Sequence, residues 1–356
     1  MTAPAGGDSA AAISTRGLTK RFGDVLALDG LDLAVPAGSV FGLLGPNGAG
    51  KTTTLRLLTG LARPTAGSAT VAGVAVAGPG SEDGRVQARI GYLDQAPRYY
   101  GWMRGRELVT LAGRLHGLRG SELRGRVDEV LDLVGIADVA RRRIGGYSGG
   151  MRQRLGIGAA IVGRPAVLFL DEPVSSLDPE GRRDVLAIVD RLRGSATVIL
   201  STHVLTDVER VCDSVAILHR GRLVVESPLD DLVARYAPPT FRIEVAGDGD
   251  DARRTADAER LAATLRPANG VAEVRVDGPS VTVRVPDPET AGTHLLELLA
   301  NAGIPIDSFA RVRPTLEDVF LDLVGSPLPP DEPLPGRGGV GAGPAWPTGI
   351  DPGKRR

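Results

Sequence analysis

The sequence predicts an α/β fold with a largely parallel sheet, followed by a smaller α+β domain. Three observations predict it. Continuous apolar runs of buried-strand length (VFGLLG at 40–45, VLFLDE at 167–172 and TVILSTH at 197–203) are separated by helix-length segments. The first of these runs leads at once into a Gly-rich loop and a helical pattern that begins near Lys51. From residue 240 onward a second, shorter alternation of strands and helices begins.

The elements fall in order along the chain. Residues 1–12 are small and polar and are expected to form a frayed tail. The α/β domain is expected over 13–237. Within it, 98–150 reads as a helical subdomain, because RELVTLAGRLHGL and RVDEVLDLVGI carry helix-period apolar residues and no strong strand. The second domain is expected over 240–325: FRIEVAG is a strand, ADAERLAATLR a helix, and VAEVRVDG and SVTVRVPD a hairpin across Gly278-Pro279. ETAGTHLLELLANAG is a second helix and IDSFARVR a last strand, which gives the order βαββαβ of a split-βαβ sandwich. A final helix, TLEDVFLDLVG, follows Pro314. Residues 326–356 are rich in Pro and Gly and poor in large apolar groups, so disorder is expected there.

Composition excludes several function classes. The 356 residues carry a net charge of −1, which offers no global basic field for nucleic acid. A single cysteine, Cys212, excludes an intrachain disulfide and a multi-cysteine metal site. It lies in the apolar stretch VCDSVAIL and is expected to be a small buried residue. The four His, at 116, 203, 219 and 294, have no metal-ligand spacing. The longest apolar candidate, GAAIVGRPAVLFL, is interrupted by Arg164 and Pro165, so no membrane span is expected. The first thirteen residues lack a basic start and a long apolar centre, so no signal peptide is expected and the protein is placed in the cytoplasm.

The motif that carries chemistry is Gly45-Pro46-Asn47-Gly48-Ala49-Gly50-Lys51-Thr52, which matches G-x-x-x-x-G-K-[ST]. Its glycines let the backbone curl so that successive N–H groups point at phosphate oxygens. The helix that starts at Lys51 adds its positive end. Lys51 can reach the β- and γ-phosphates, and the Thr52 hydroxyl can ligate Mg²⁺. Lys occurs only at 20, 51 and 354, which makes a chance match unconvincing. A second acidic site ends the strand VLFLDEP. Alternation along a strand turns Asp171 and Glu172 in different directions. Asp171 can then hold Mg²⁺ while Glu172 serves an attacking water as general base.

YSGGMRQR (147–154) supplies a second helix start of anion-binding type, which a simple phosphate-loop protein does not need. The combination resembles the ABC-type ATPase family, over residues 13–230. The family's signature usually reads LSGGQ; here Tyr147 and Met151 replace its first and last residues. Further matches fall in family order. Gln95 in IGYLDQ matches the glutamine that contacts Mg²⁺ and the attacking water, although Asp94 stands where relatives commonly have Pro. Ser175-Ser176-Leu177-Asp178 matches the short loop after the acidic pair, with Asp178 its aspartate. His203 in LSTH matches the switch histidine near the γ-phosphate, and Phe22 in KRFGDVLAL the aromatic that stacks on adenine.

The resemblance implies a P-loop ABC-type nucleotide-binding domain with a helical subdomain, ATP as substrate and Mg²⁺ as cofactor. It implies ATP contacts from Phe22, residues 45–52 and Thr53, and catalytic roles for Glu172, His203 and Gln95. Mg²⁺ falls to Thr52, Gln95 and Asp171. It also implies head-to-tail pairing, as a homodimer or with a paired ATPase subunit, so that Ser148, Gly149 and Gly150 of one copy close on the γ-phosphate held by Lys51 of the other. The family couples that cycle to a separate integral-membrane permease, here of the ABC-2 type, which would hold the chain on the inner face of the cell membrane. RPTLEDVFLDLVG (313–325) resembles the ending of bacterial drug- and lipid-exporting ATPases of the daunorubicin-resistance type.

Two features stay open at this point. Tyr99, Tyr100 and Trp102 are read either as an anchor for a permease helix or as packing within the helical subdomain. The 240–325 domain is read as regulatory, as dimer support, or as a packing cap. A soluble ABC-type factor acting on nucleic acid or ribosomes is disfavoured by the single cassette and the absence of a long heptad run. A non-hydrolysing regulatory module is disfavoured by Glu172.

Overall fold

A computed structural model describes residues 11–76, 85–236, 240–247, 251–285, 288–312 and 315–325. The chain begins with the hairpin of β1 (Ala11–Phe22) and β2 (Val25–Pro36). β3 (Val40–Leu44) runs into the Gly-rich loop and α1 (Lys51–Leu58), and β4 (Ala66–Val71) and β5 (Val74–Ala75) follow. After β6 (Ile90–Leu93) comes a helical stretch of α2 (Gly105–Leu115), α3 (Gly120–Leu133) and α4 (Gly149–Ile161). The parallel sheet resumes with β7 (Val167–Asp171), α5 (Pro179–Leu192), β8 (Thr197–Thr202), α6 (Leu205–Val211), β9 (Ser214–His219), β10 (Arg222–Pro228) and α7 (Leu229–Tyr236). The second domain contains β11 (Thr240–Val245), α8 (Asp251–Leu265), β12 (Glu273–Asp277), β13 (Ser280–Arg284), α9 (Pro288–Ala302) and β14 (Ile306–Val312), and α10 (Leu316–Gly325) ends the described chain.

The principal sheet has the order β10-β9-β3-β8-β7-β6. Its pairs are parallel except the β9–β10 hairpin. The strands β3, β7 and β8 are buried along their whole length, as covering on both faces requires. Alternate residues serve alternate cores. Phe41, Leu43, Val167 and Phe169 join the core under the N-terminal hairpin, whereas Val40, Leu44, Leu168 and Leu170 join the core under the helices.

A second sheet, β2-β1-β4-β5, is antiparallel throughout. The sequence reading did not separate it from the parallel sheet. Ala11 and Ala12, which that reading assigned to the tail, lie in β1: Ala11 pairs with Pro36, and Ala12 O accepts from Ala72 N at 2.7 Å. Small side chains do not prevent a backbone from joining a ladder. Residues 1–10 and 326–356, read as tails, lie outside the described residues.

The second domain has the βαββαβ order and a sheet arranged β12-β13-β11-β14. β13 separates β11 and β12, which are the two strands joined through α8, so the unit is a split βαβ. Phe241, Ile243, Val281 and Val283 face Leu261, Leu265, Leu295 and Leu299 in a core of its own. α10 does not join that core. Its residues Leu316, Val319, Phe320 and Leu323, spaced as one helical face, pack into the larger domain beside Val208 and Val211 of α6 and Leu232 of α7.

Candidate active site

The loop between β3 and α1 sits at the C-terminal end of the parallel strands, where α/β sheets place their ligand sites. Gly50 makes the entry to α1 possible. Its φ of 106° lies in a region closed to side chains, and a Cβ there would come within 2.8 Å of Ala27 O. A Cβ on Gly45 would overlap Leu218 O. The loop is therefore pressed from behind by the β9–β10 turn, and Gly221 N donates to Ala49 O at 3.0 Å. Lys51 is buried, and its Nζ donates to Gly45 O at 2.7 Å and Pro46 O at 3.3 Å. Glu172 Oε1 lies 3.6 Å from the same ammonium. Burial pulls the Lys51 pKa below its ordinary 10.5, and the Glu172 and Asp171 carboxylates oppose that pull.

The acidic pair closes the other side. Asp171, the last residue of β7, is fully buried and accepts from Ser201 Oγ at 2.6 Å and Thr52 Oγ1 at 3.2 Å, both on Oδ1. Its Oδ2 has no hydrogen-bond partner. Glu172 has already left the strand. Its φ of 47° is left-handed, so a backbone turn, not pleat alternation, separates the two carboxylates. That conformation costs a non-glycine residue roughly 1–2 kcal/mol. It is held by Glu172 N, which donates to Ser201 O and Ser201 Oγ, each at 3.1 Å. His203 Nδ1 lies 3.0 Å from both Glu172 carboxylate oxygens.

A cleft of about 380 Å³ is lined by Phe22, Ala27, Asn47, Gly48, Ala49, Gly50, Lys51, Thr52, Thr53, Gln95 and Glu172. Gly45 and Pro46 lie behind it and hold Lys51 through their carbonyls. Phe22 is half exposed at the cleft edge, with Lys20 Nζ 4.7 Å from its ring centre. Ser148, Gly149, Gly150 and Asp178 are elsewhere. They line a second cleft, also of about 380 Å³, together with Arg154, Ser176, Leu177, Glu180, Gly181 and Asp184. The two clefts share no lining residue. Two helix starts meet in the second: Ser148 caps α4 by accepting from Met151 N at 3.2 Å, and Asp178 caps α5 by accepting from Gly181 N at 3.1 Å.

The ABC transporter family model matches residues 28–175, and the model of the ATP-binding protein DrrA1-3-like C-terminal domain matches residues 228–324. The daunorubicin resistance ATP-binding protein DrrA3 of Streptomyces coeruleorubidus is 41% identical over 316 residues, which cover 88% of this chain and 96% of that relative.

The chain belongs to the ABC transporter ATP-binding family.

The daunorubicin/doxorubicin resistance ATP-binding protein DrrA of Streptomyces peucetius is 39% identical, over 89% of this chain and 93% of its own length. Among solved structures, an ATP-binding subunit of an ABC transporter superposes with a TM-score of 0.58 and 27% identity, covering 63% of this chain and 93% of that one. As a member of this family the chain binds and hydrolyses ATP. The α/β fold with its small α+β addition is the one the sequence predicts.

The residues near Asp171 also fit a divalent cation. Thr52 supplies a hydroxyl oxygen and Asp171 an unpartnered buried carboxylate oxygen, hard donors of the kind Mg²⁺ takes. Among the described residues no cluster of three or more His, Cys, Asp or Glu is placed to hold a metal. Mg²⁺ usually takes one or two protein oxygens beside waters and substrate phosphates, so these two donors would supply only part of its shell.

Ser201 was missed by sequence reasoning. It holds Asp171 through its hydroxyl and Glu172 through its carbonyl and hydroxyl. Its signal was its place two residues before His203 on the strand beside β7. No helix among the described residues is long and apolar enough to cross a membrane.

Proposed function

We propose that this chain is the ATP-hydrolysing subunit of a drug-exporting complex whose permease is a separate membrane polypeptide of the ABC-2 type. Two ATPase subunits meet head to tail around ATP, as two copies of this chain or as this chain with a paired subunit. The observation that carries the reading is the division of one chemistry between two clefts of one chain. Lys51, Thr52 and Glu172 line one, and the helix start at Ser148–Gly150 and Asp178 line the other. A helix start so exposed is an anion site waiting for a phosphate that its own chain holds elsewhere. The daunorubicin-resistance names of the relatives support drug export.

In this reading Phe22 stacks on the base, and residues 45–52 with Thr53 grip the phosphates. Mg²⁺ would be held by Thr52, Gln95 and Asp171 and would neutralise charge on the β- and γ-phosphate oxygens. Glu172 takes the proton of the attacking water as its oxygen bonds to the γ-phosphorus and the bond to the β-phosphate oxygen breaks. His203, on the Glu172 carboxylate, steadies that base and faces the departing phosphate. Ser148, Gly149 and Gly150 of the second subunit complete the charge neutralisation. Loss of phosphate removes the attraction between subunits, and the pair opens, which moves the permease. The chain then sits on the membrane through that permease.

Glu172→Gln tests the assignment. Removal of a general base costs on the order of 10²–10⁴ in turnover, while ATP binding should persist. Turnover at the wild-type rate in this variant would place the base elsewhere.

A further inference from the structure

α6 begins two residues after His203 and is only seven residues long, so its position fixes the loop that carries the histidine. Arginines of α5 and of its C-terminal end donate to Thr206 Oγ1 and to Val211 O, and the two carboxylates of α6, Asp207 and Glu209, tie it to other helices. Arg182 Nε, in the first turn of α5, donates to Asp207 Oδ1 at 2.6 Å, and Asp207 is buried. The Glu209 contact comes from the far end of the chain. Leu316 N, in the first turn of α10, donates to Glu209 Oε1. First-turn N–H groups have no partner inside their own helix, so the Glu209 carboxylate satisfies an otherwise orphaned donor and faces the positive end of α10. Behind this cap, Leu316 and Val319 are fully buried in the core that holds Val208 and Val211 of α6. Between α7 and α10 the chain makes the whole second domain, with its separate core. That domain is thus tethered by α7 on one side and, through α10, by the helix behind His203 on the other.

We infer that Glu209 is a positioning residue: through its cap on α10, the C-terminal domain holds α6 and so sets the placement of His203 against Glu172. The inference rests on the proposed role of His203 and adds a role for the second domain, which acts on the rate of hydrolysis and not on the grip on ATP. A load on the second domain that pulled α10 away would release α6 and slow turnover, and a load that seated α10 would raise it.

The test uses the full chain and three variants. Glu209→Ala removes the acceptor from an exposed helical position, where alanine is a good helix former. Its kcat should fall on the order of tenfold, since small misplacements of catalytic groups are costly. Its KM for ATP should stay within about twofold, because no ATP-gripping residue is touched. Glu209→Gln keeps the Oε1 acceptor and should restore most of kcat. Hydrogen exchange should show α10 amides opening faster in the alanine variant than in the glutamine variant. His203→Ala is the control for the underlying reading. If it abolishes turnover while Glu209→Ala turns over normally, the inference alone fails. If His203→Ala itself turns over normally, the role of His203 fails and takes the inference with it. An equal fall of kcat and rise of KM in Glu209→Ala would also overturn it, as that marks a general loss of structure.

Discussion

Tyr147 and Gly105 interlock. The Tyr147 hydroxyl donates to Val139 O at 2.9 Å and fills the space above Gly105, where a Cβ would overlap it. Tyr147 is buried, and the next residue, Ser148, caps α4. The helix start that faces the second cleft is therefore registered against the first residue of α2 by a side chain that stands where the family usually has leucine. Gly105→Ala should overpack this notch and cost roughly 1–3 kcal/mol of stability. Denaturant unfolding would measure that loss. Turnover should fall more than ATP affinity, since the P-loop cleft is untouched; an unchanged rate would mean that the register of Ser148 is not set here.

Lys51→Ala should weaken ATP binding on the order of a hundredfold or more. The ammonium is buried beside Glu172 and the loop carbonyls, and charge-assisted hydrogen bonds contribute about 1.5–3 kcal/mol each. Titration with a fluorescent ATP analogue would read the loss. Unchanged affinity would contradict the assignment of residues 45–52 to phosphate.

The aromatic cluster divides. Tyr99 packs against the helical core, and a Cβ on Gly156 of α4 would overlap its hydroxyl. Tyr100 and Trp102 are 69% and 66% exposed and contact each other with ring centres 5.7 Å apart. Tyr99→Ala should therefore destabilise the fold by about 3–5 kcal/mol, as a large-to-small core change does. Trp102→Ala should leave stability and basal hydrolysis unchanged and weaken co-purification with the permease. Intact co-purification would remove Trp102 from the docking surface.

How much of this was legible follows from the physics of each element. β3, β7 and β8 were readable because strands buried on both faces are continuous apolar runs. The β1–β2 sheet was not: its ladder is broken by register shifts and its burial alternates only in part, so no clean period of two survives. The Gly-rich loop was legible because phosphate chemistry needs those residues in that order. The turn that separates Asp171 from Glu172 was not, because a left-handed glutamate has no sequence signal. The helix at 316–325 was legible as a helix, but nothing local says that its apolar face belongs to α6 and α7.

Cys212 gives a probe that the chain supplies for itself. Burial pushes the thiol well above its ordinary 9.0. The native protein should react slowly with a thiol-specific reagent near neutral pH and fast once unfolded. A folded pKa above the unfolded one means that the unfolded state loses its proton first as pH rises. Cys212 therefore adds no penalty below 9.0 and lowers stability progressively above it. Replacement by Ala should flatten that alkaline decline, measured as denaturation midpoint against pH.

The head-to-tail arrangement is tested most directly by a crystal structure of the Glu172→Gln chain with ATP and Mg²⁺. Two copies should enclose two nucleotides. The Ser148 hydroxyl and Gly150 amide of one copy should lie within about 3 Å of the γ-phosphate gripped at Lys51 of its partner. ATP held in the Lys51 cleft of a copy whose γ-phosphate meets no second subunit would contradict the account.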